Sequence, residues 1–374
     1  MKKDYISLGL MSGTSGDGVD ASVIKSNGEI LSKNVSFKIL DNQYFEYDSN
    51  TFKKIFELRE KINRLNDLEK FKDNIKSLER ELTMFHAKSI KDILNKHEVD
   101  IIGFHGHTIY HNYEEKISYQ MGDPGLLSQL TKKDIIFNFR KNDIKNGGQG
   151  APLVPLFHMA LGKKINLKSP WIILNIGGIS NFTFCNDQSN IFSASDVGPG
   201  NCLIDEWIRE NSNTKFDKDG LIANSGEINK QILQDVLERD LIKIERKSFD
   251  IKDFDLGFIR GLSIKDGAAT ITEYTAENIC WQLSNQFELN KNQKIKLIIS
   301  GGGRKNKFLM KRIKHKLKCE VSLIDDYGVD GDFVESQAFA FLAIRSVKKF
   351  PISYKWMTGC KNGSCLGGEL YKFR

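Results

Sequence analysis

The chain of 374 residues lacks most of the signals that would assign it quickly. No stretch approaches the ~20 apolar residues that span a bilayer, so a membrane partner is not expected. No secretory signal is read at the start, and the six cysteines contain no Cys-x-x-Cys spacing. Reduced thiols in the cytoplasm are therefore the expectation. Only Cys360 and Cys365 lie close enough in sequence to suggest pairing. The Walker pattern Gly-x4-Gly-Lys-Ser/Thr is absent from the glycine-rich turn near the start. A strong charge of one sign is missing too: the net charge is +7, spread as lysine along many segments. Without a nucleic-acid motif, that surplus fits a solvated surface or an anionic small substrate, and no nucleic-acid partner is expected.

What is present is concentrated in short polar blocks. Ser12 to Asp20 packs three glycines, three hydroxyl side chains and two aspartates into nine residues. An apolar run precedes it (5–11) and an alternating run follows (Val19, Ala21, Val23), which reads as strand, turn, strand. Glycines let the backbone approach a ligand, and successive N–H groups in such a turn bind anions. Thr14 and Ser15 add donors, and Asp17 or Asp20 can orient a hydrated Mg²⁺. Gly16-x-Gly18-x-x-Ala21 matches the dinucleotide fingerprint, but that fingerprint must open a helix and this one continues as a strand. A plain hairpin with a glycine-rich connection is the alternative.

The same organisation recurs. Strands are predicted over 4–40, 100–105 and 134–140, helices over 50–97, and a helix from Pro124 capped by Asp123. A polar connection over 141–150 marks a domain transition. Strands then follow at 171–176, 181–184 and 191–195, with a Gly177-Gly178 turn between the first two. A helix over 199–210, a helix over 273–289, a strand over 295–300, a Gly301-Gly-Gly303 turn, a helix, a strand and a last helix over 333–348 complete the chain. Two hairpins with glycine turns, one per half, suit a grip on nucleotide phosphates, with the third glycine turn lying against a purine or ribose.

The blocks Ser12–Asp20, His105-Gly-His-Thr108, Gln120-Met-Gly-Asp123, Asn138-Phe-Arg140, Gly147-Gly-Gln-Gly-Ala-Pro-Leu-Val-Pro155, Leu174-Asn-Ile-Gly-Gly-Ile-Ser-Asn181, Asp196-Val-Gly-Pro-Gly-Asn201 and Gly301-Gly-Gly303 occur in one order over residues 9 to about 345. Together they resemble the 1,6-anhydro-N-acetylmuramic acid kinase family. The resemblance implies an α/β, two-lobed actin-like ATPase (ribonuclease H-like) fold, with duplicated mixed-sheet domains around a nucleotide cleft. The expected lobes are 1–140, completed by 349–374, and 141–348. It implies ATP and Mg²⁺ as cofactors, an anhydrosugar substrate, a homodimer and a role in peptidoglycan recycling. A levoglucosan-type kinase and an actin-like nucleotide switch are the competing readings.

On this resemblance, Asp196 is the catalytic base and Glu335 an assisting carboxylate. Each has a plainer reading, Asp196 as a helix cap and Glu335 as favourable first-turn charge. ATP and its phosphates are assigned to Gly13, Thr14, Ser15, Gly16, Asp17, Gly18, Val19, Asp20, Gly177, Gly178, Asn181 and the Gly301, Gly302, Gly303 turn, with Asp17 holding Mg²⁺ through water. The sugar is assigned to His105, Thr108, Arg140, Gln149 and Asn201. Arg140 suits a carboxylate or phosphate, or else a surface ion pair with Asp134 or Asp143. His105 and His107, two apart on a strand, would face one side, but no recognised zinc spacing surrounds them. The chain departs from the family pattern at Gly16, where a larger apolar residue is usual and glycine is expected to loosen the turn. It also departs at Ser336, where alanine is usual, and at the two cysteines of the tail.

Overall fold

In the computed structural model, residues 4–30, 35–240, 248–289 and 294–374 are described. The apolar run at the start forms strand β1 (Tyr5–Ser12), and the alternating run after the glycine turn forms β2 (Gly18–Ser26). Because Gly18 opens a strand and not a helix, the dinucleotide-fingerprint match has no structural counterpart. β3 (Phe37–Glu46) adds antiparallel to β2. β4 (Ile101–Asn112) then joins the other side of β1 in parallel, and β6 (Asp134–Phe137) joins β4 in parallel. β5 (Ile117–Met121) folds back on β4.

The same order is built a second time. β7 (Trp171–Ile176), β8 (Ile179–Asn186) and β9 (Ile191–Pro199) form an antiparallel meander, and β10 (Lys296–Ser300) and β11 (Glu320–Leu323) extend it in parallel from β7. Both sheets therefore run third strand, second, first, then two parallel strands, which is the duplicated actin-like, ribonuclease H-like architecture expected. The short pair β12 (Ser353–Tyr354) and β13 (Ser364–Cys365) and the edge strand β14 (Glu369–Tyr371, antiparallel to β6) complete the set.

The chain divides into one unit of Met1–Leu167 with Phe333–Arg374 and a second of Lys168–Asp332. These boundaries differ from the 140/141 and 348/349 read from sequence. The reason is packing: Phe157, on the buried helix Pro155–Lys164, makes tilted ring contacts with Phe37 at 5.4 Å and with Phe341 of the last long helix at 5.7 Å. Nor is 141–150 a loose connection. It holds a short helix, Lys141–Lys145, and Gly150 N donates to Asp143 Oδ2 at 2.8 Å.

Other spans differ from expectation too: β4 runs on to Asn112 and β9 to Pro199, so the helix expected from 199 starts at Cys202. β6 ends at Phe137 because Asn138 takes a left-handed conformation (φ 52°). The long helix of the second unit starts at Ile264, where Ser263 accepts from Asp266 N, well before 273. Asp123 and Pro124 do open a helix as predicted, with Leu126 N donating to Asp123 Oδ1.

The last long helix, Val334–Val347, lies directly on the first sheet. Glycine makes this possible. A Cβ at Gly9 would stand 2.0 Å from Ser336 O, and one at Gly103 would stand 2.5 Å from Phe339 O. Ser336, where the family pattern has alanine, pairs with Ser22 Oγ at 2.6 Å, so its buried hydroxyl is satisfied. Gly9→Ala should therefore lower stability by about 3 kcal/mol, since the obstacle is helix backbone and not a mobile side chain. Urea unfolding checks this, and an unchanged midpoint would contradict it.

Candidate active site

In the first unit, the turn between β1 and β2 is held from several sides. Gly16 N donates to Gly13 O at 3.0 Å, and Arg59 Nη1 donates to Thr14 O at 2.6 Å. Tyr47 N donates to Asp17 O at 2.9 Å, and Ser15 Oγ donates to Asp17 Oδ1 at 2.6 Å. Gly16 has φ +65°, and a Cβ there would meet Ile55 Cγ2 at 3.3 Å. Glycine at this position therefore fits a left-handed residue in a closed turn, which corrects the expectation of a loosened one. Val19 is buried in β2, while Asp20 is only partly so.

Below this turn lies a buried polar chain. Tyr47 OH donates to Ser12 Oγ at 3.2 Å, and Ser12 Oγ bonds His107 Nδ1 at 3.1 Å. His107 reaches Ser12 because of a bulge. Leu10 pairs with Phe104 but Ser12 with His107, so β4 carries one extra residue, and Gly106 in the bulge has φ +75°. A bulge of one residue turns the following side chain to the other face. His105 accordingly packs on Phe339 of the last long helix in a tilted ring contact, with centroids 4.3 Å apart, away from Ser12. The two histidines do not face one side, which removes the geometric basis for a shared metal.

His105 instead orients an arginine. Its Nε2 accepts from Arg140 Nε at 3.2 Å and Nη2 at 3.0 Å, and its Nδ1 bonds Gly106 O at 2.9 Å. Burial and the Arg140 guanidinium push this imidazole well below its ordinary range, so it stays neutral. Arg140 Nη1 also donates to Gly150 O at 2.8 Å. Gln149 sits beside this contact; its N donates to Thr358 O, and its Oε1 is a buried acceptor with no partner among the described residues. Thr108 Oγ1 accepts from Gln120 Nε2 at 3.3 Å. Glu335 lies in the first turn of Val334–Val347.

In the second unit, the strand register builds a polar row. Ser300, Asn175, Asn181 and Asp196 stand opposite one another across β10, β7, β8 and β9. Directly opposed residues share a face. Here too a bulge sets the outcome. Ser180 pairs with Gly198 but Asn181 with Asp196, so Val197 is the extra residue that turns Asp196 onto the row. Asp196 is buried (8% exposed), and its Oδ2 accepts from Phe249 N at 2.8 Å. It lies within β9 and caps no helix; the following helix begins at Cys202 after Asn201. Asn175 and the buried Ser300 were not singled out from the sequence, although Asn175 lies within a quoted block. Their shared register was the missing signal.

The second unit's glycine blocks converge as well. Gly200 N donates to Gly178 O and Asn201 N to Gly177 O, at 2.9 and 2.8 Å. A Cβ at Gly303 would stand 2.2 Å from Ile176 Cγ2 and 3.1 Å from Asn201 Oδ1. Asn201 is thus placed beside the Gly301, Gly302 and Gly303 turn. That turn is clamped by Arg304, whose Nη1 donates to Gly301 O and Asp332 Oδ1 while Nε and Nη2 grip both oxygens of Asp325. Bidentate pairs of this kind fix orientation.

The family model for anhydro-N-acetylmuramic acid kinase matches residues 5–372. The chain belongs to that family. An anhydro-N-acetylmuramic acid kinase of Pelagibacter ubique is 48% identical over 379 residues, covering 100% of both chains. That of Zymomonas mobilis is 36% identical, covering 98% of this chain and 99% of its own. Among solved structures, an activator of 2-hydroxyisocaproyl-CoA dehydratase from Clostridium difficile with bound ADPNP is similar at 12% identity. It has a TM-score of 0.40 and covers 92% of this chain and 96% of its own. A ROK family glucokinase from Streptomyces griseus in complex with glucose and AMPPNP is similar at 9% identity and a TM-score of 0.38, covering 90% and 97%. No helix among the described residues is long and apolar enough to cross a membrane.

The buried histidines of the first unit give the family member a testable pH response. Burial pushes His107 and His158 down to about 3 and His86 down to about 4. Below the ordinary imidazole value near 6.5 the unfolded chain takes up protons that the folded chain does not, so stability falls with pH. The urea midpoint should drop steadily from pH 7 to pH 5, and a flat or rising midpoint would contradict these assignments.

Proposed function

We propose that the chain transfers the γ-phosphoryl group of ATP to O6 of 1,6-anhydro-N-acetylmuramic acid while water opens the anhydro bridge. The products are N-acetylmuramic acid 6-phosphate and ADP. The observation that carries this reading is the placement of Asp196. A buried carboxylate sits on a row of polar side chains, oriented by a backbone N–H, with no capping duty.

Water attacks the anomeric carbon and gives its proton to Asp196, as at the base of an inverting glycosidase. The C1–O6 bond breaks, and O6 attacks the γ-phosphorus as the bond to the β-phosphate oxygen breaks. In the first unit the backbone from Gly13 to Gly18, with Thr14 and Ser15, is assigned to the phosphates; in the second unit Gly177, Gly178 and Asn181 are assigned to ATP. The turn Gly301–Gly303, held by Arg304, takes the adenosine; Asn201, expected on the sugar, lies beside this turn and is reassigned to it. Arg140 binds the lactyl carboxylate; His105, whose ring nitrogens are both engaged, positions it. Thr108 and the unpartnered Gln149 Oε1 contact the sugar, and Glu335 supplies a second carboxylate to it.

The residues around the first turn fit a hydrated Mg²⁺. Asp17, Asp20 and Ser15 offer hard oxygen donors, and burial together with the charges of Asp17 and Asp20 raises the Tyr44 phenol above its ordinary value. Bound there, Mg²⁺ would neutralise charge on the β- and γ-phosphates. The family implies a cytoplasmic homodimer acting in peptidoglycan recycling.

Asp196→Asn should keep the fold and ATP binding and lower sugar-dependent turnover by about 10²–10⁴-fold, the range for loss of a general base. Coupled ADP release and nucleotide titration read this together. Turnover within a few-fold of the parent chain would remove Asp196 from the mechanism.

A further inference from the structure

Outside this machinery the first unit holds a cluster with unused chemistry. Asp143, Cys360 and Cys365 are all buried, and one ligand-type atom from each lies within 4.8 Å of the others. Both cysteines are free thiols. Asp143 comes from the short helix Lys141–Lys145, Cys365 from β13, and Cys360 from the turn after Thr358. Three chain segments thus converge on one point.

The carboxylate is the decisive member. Asp143 is 1% exposed, and its donors are all neutral: Gly150 N at 2.8 Å, Ser353 Oγ at 2.5 Å and Thr358 Oγ1 at 2.6 Å. No lysine, arginine or histidine pairs with it among the described residues. Buried charges are ordinarily paired or bound to a metal. Two sulfurs and one carboxylate oxygen at this separation supply three of the four positions of tetrahedral coordination, with bonds of about 2.3 Å to sulfur and about 2.0–2.2 Å to oxygen, and leave the fourth to an exogenous ligand such as water. Thiolate ligands select thiophilic ions over Mg²⁺ or Ca²⁺. A disulfide would use the two sulfurs but leave the carboxylate without a counter-charge.

We infer that Asp143, Cys360 and Cys365 form a binding site for a thiophilic divalent cation, Zn²⁺. On binding, two S–H bonds release their protons to solvent, two Zn–S bonds and one Zn–O bond form, and no electron is transferred. The site fastens the C-terminal segment to the glycine-rich loop. Gly150 N bonds Asp143, Gln149 N bonds Thr358 O, and Gly150 O holds Arg140. The inference is independent of the proposed reaction, because metal content is read without turnover.

The full-length chain, purified reduced and equilibrated with Zn²⁺ alone, should retain about one zinc per chain by elemental mass spectrometry. The Cys360→Ser/Cys365→Ser double variant should retain less than about a tenth of that, with unchanged circular dichroism. Asp143 also bonds the glycine-rich loop, so its replacement can unfold the segment; the cysteine variants therefore carry the test. Co²⁺ in place of Zn²⁺ should give a thiolate-to-metal charge-transfer band that the double variant lacks. The inference is overturned by a folded, reduced parent chain that retains no zinc. Equal zinc in the double variant, or an intact mass short by two hydrogens that marks a Cys360–Cys365 disulfide, overturns it as well.

Discussion

The direct contact of helix backbone with sheet backbone at Gly9 and Gly103 is the constraint on which the first unit depends. With any side chain at those positions, Val334–Val347 would stand off the sheet. Seated as it is, the helix covers β1, β2 and β4 together. It thereby fixes the carboxyl end of β1, from which the glycine turn emerges, against the His105–Thr108 block inside β4. Open α/β sheets bind ligands outside the carboxyl ends of their strands, and the same ends carry the glycine turns in the second unit. Its last helical turns also bear Arg345, which donates to Gly28 O and Pro351 O and so ties the helix to its surroundings.

Register is the second shared device. Each unit carries a β-bulge beside its candidate site residues, at Gly106 in β4 and at Val197 in β9. A single-residue slip turns every later side chain over. In the first unit the slip separates His105, which holds Arg140, from His107, which bonds Ser12 at the start of the glycine turn. In the second it brings Asp196 into line with Asn181, Asn175 and Ser300. The placement of the candidate site residues thus rests on backbone irregularities that no composition or periodicity reveals.

That division explains what could be read in advance. The strand–turn–strand at 5–26, its repetition near 171–186 and the polar blocks were legible because glycine runs and alternating apolar residues are local signals. The unit boundaries were not legible, because the helix Pro155–Lys164 and the last long helix are bound to the first unit by rings far apart in sequence, Phe37, Phe157 and Phe341. The engagement of His105 by Arg140, the anchoring of Asp196 by Phe249 N and the convergence of Asp143 with the tail cysteines were equally hidden. Each is a contact between segments with no common motif. Gly16 shows the reverse error: glycine suggested looseness, whereas a left-handed position in a hydrogen-bonded turn calls for it.

The central claim is a phosphotransfer coupled to opening of an anhydro ring, with the sugar required for nucleotide turnover. The most direct measurement follows ADP release from Mg-ATP with 1,6-anhydro-N-acetylmuramic acid, levoglucosan, N-acetylmuramic acid or no sugar, with mass analysis of the product. The account predicts release stimulated by 1,6-anhydro-N-acetylmuramic acid alone, with one N-acetylmuramic acid 6-phosphate formed per ADP. Equal release with and without sugar, or stimulation by levoglucosan in its place, would contradict it.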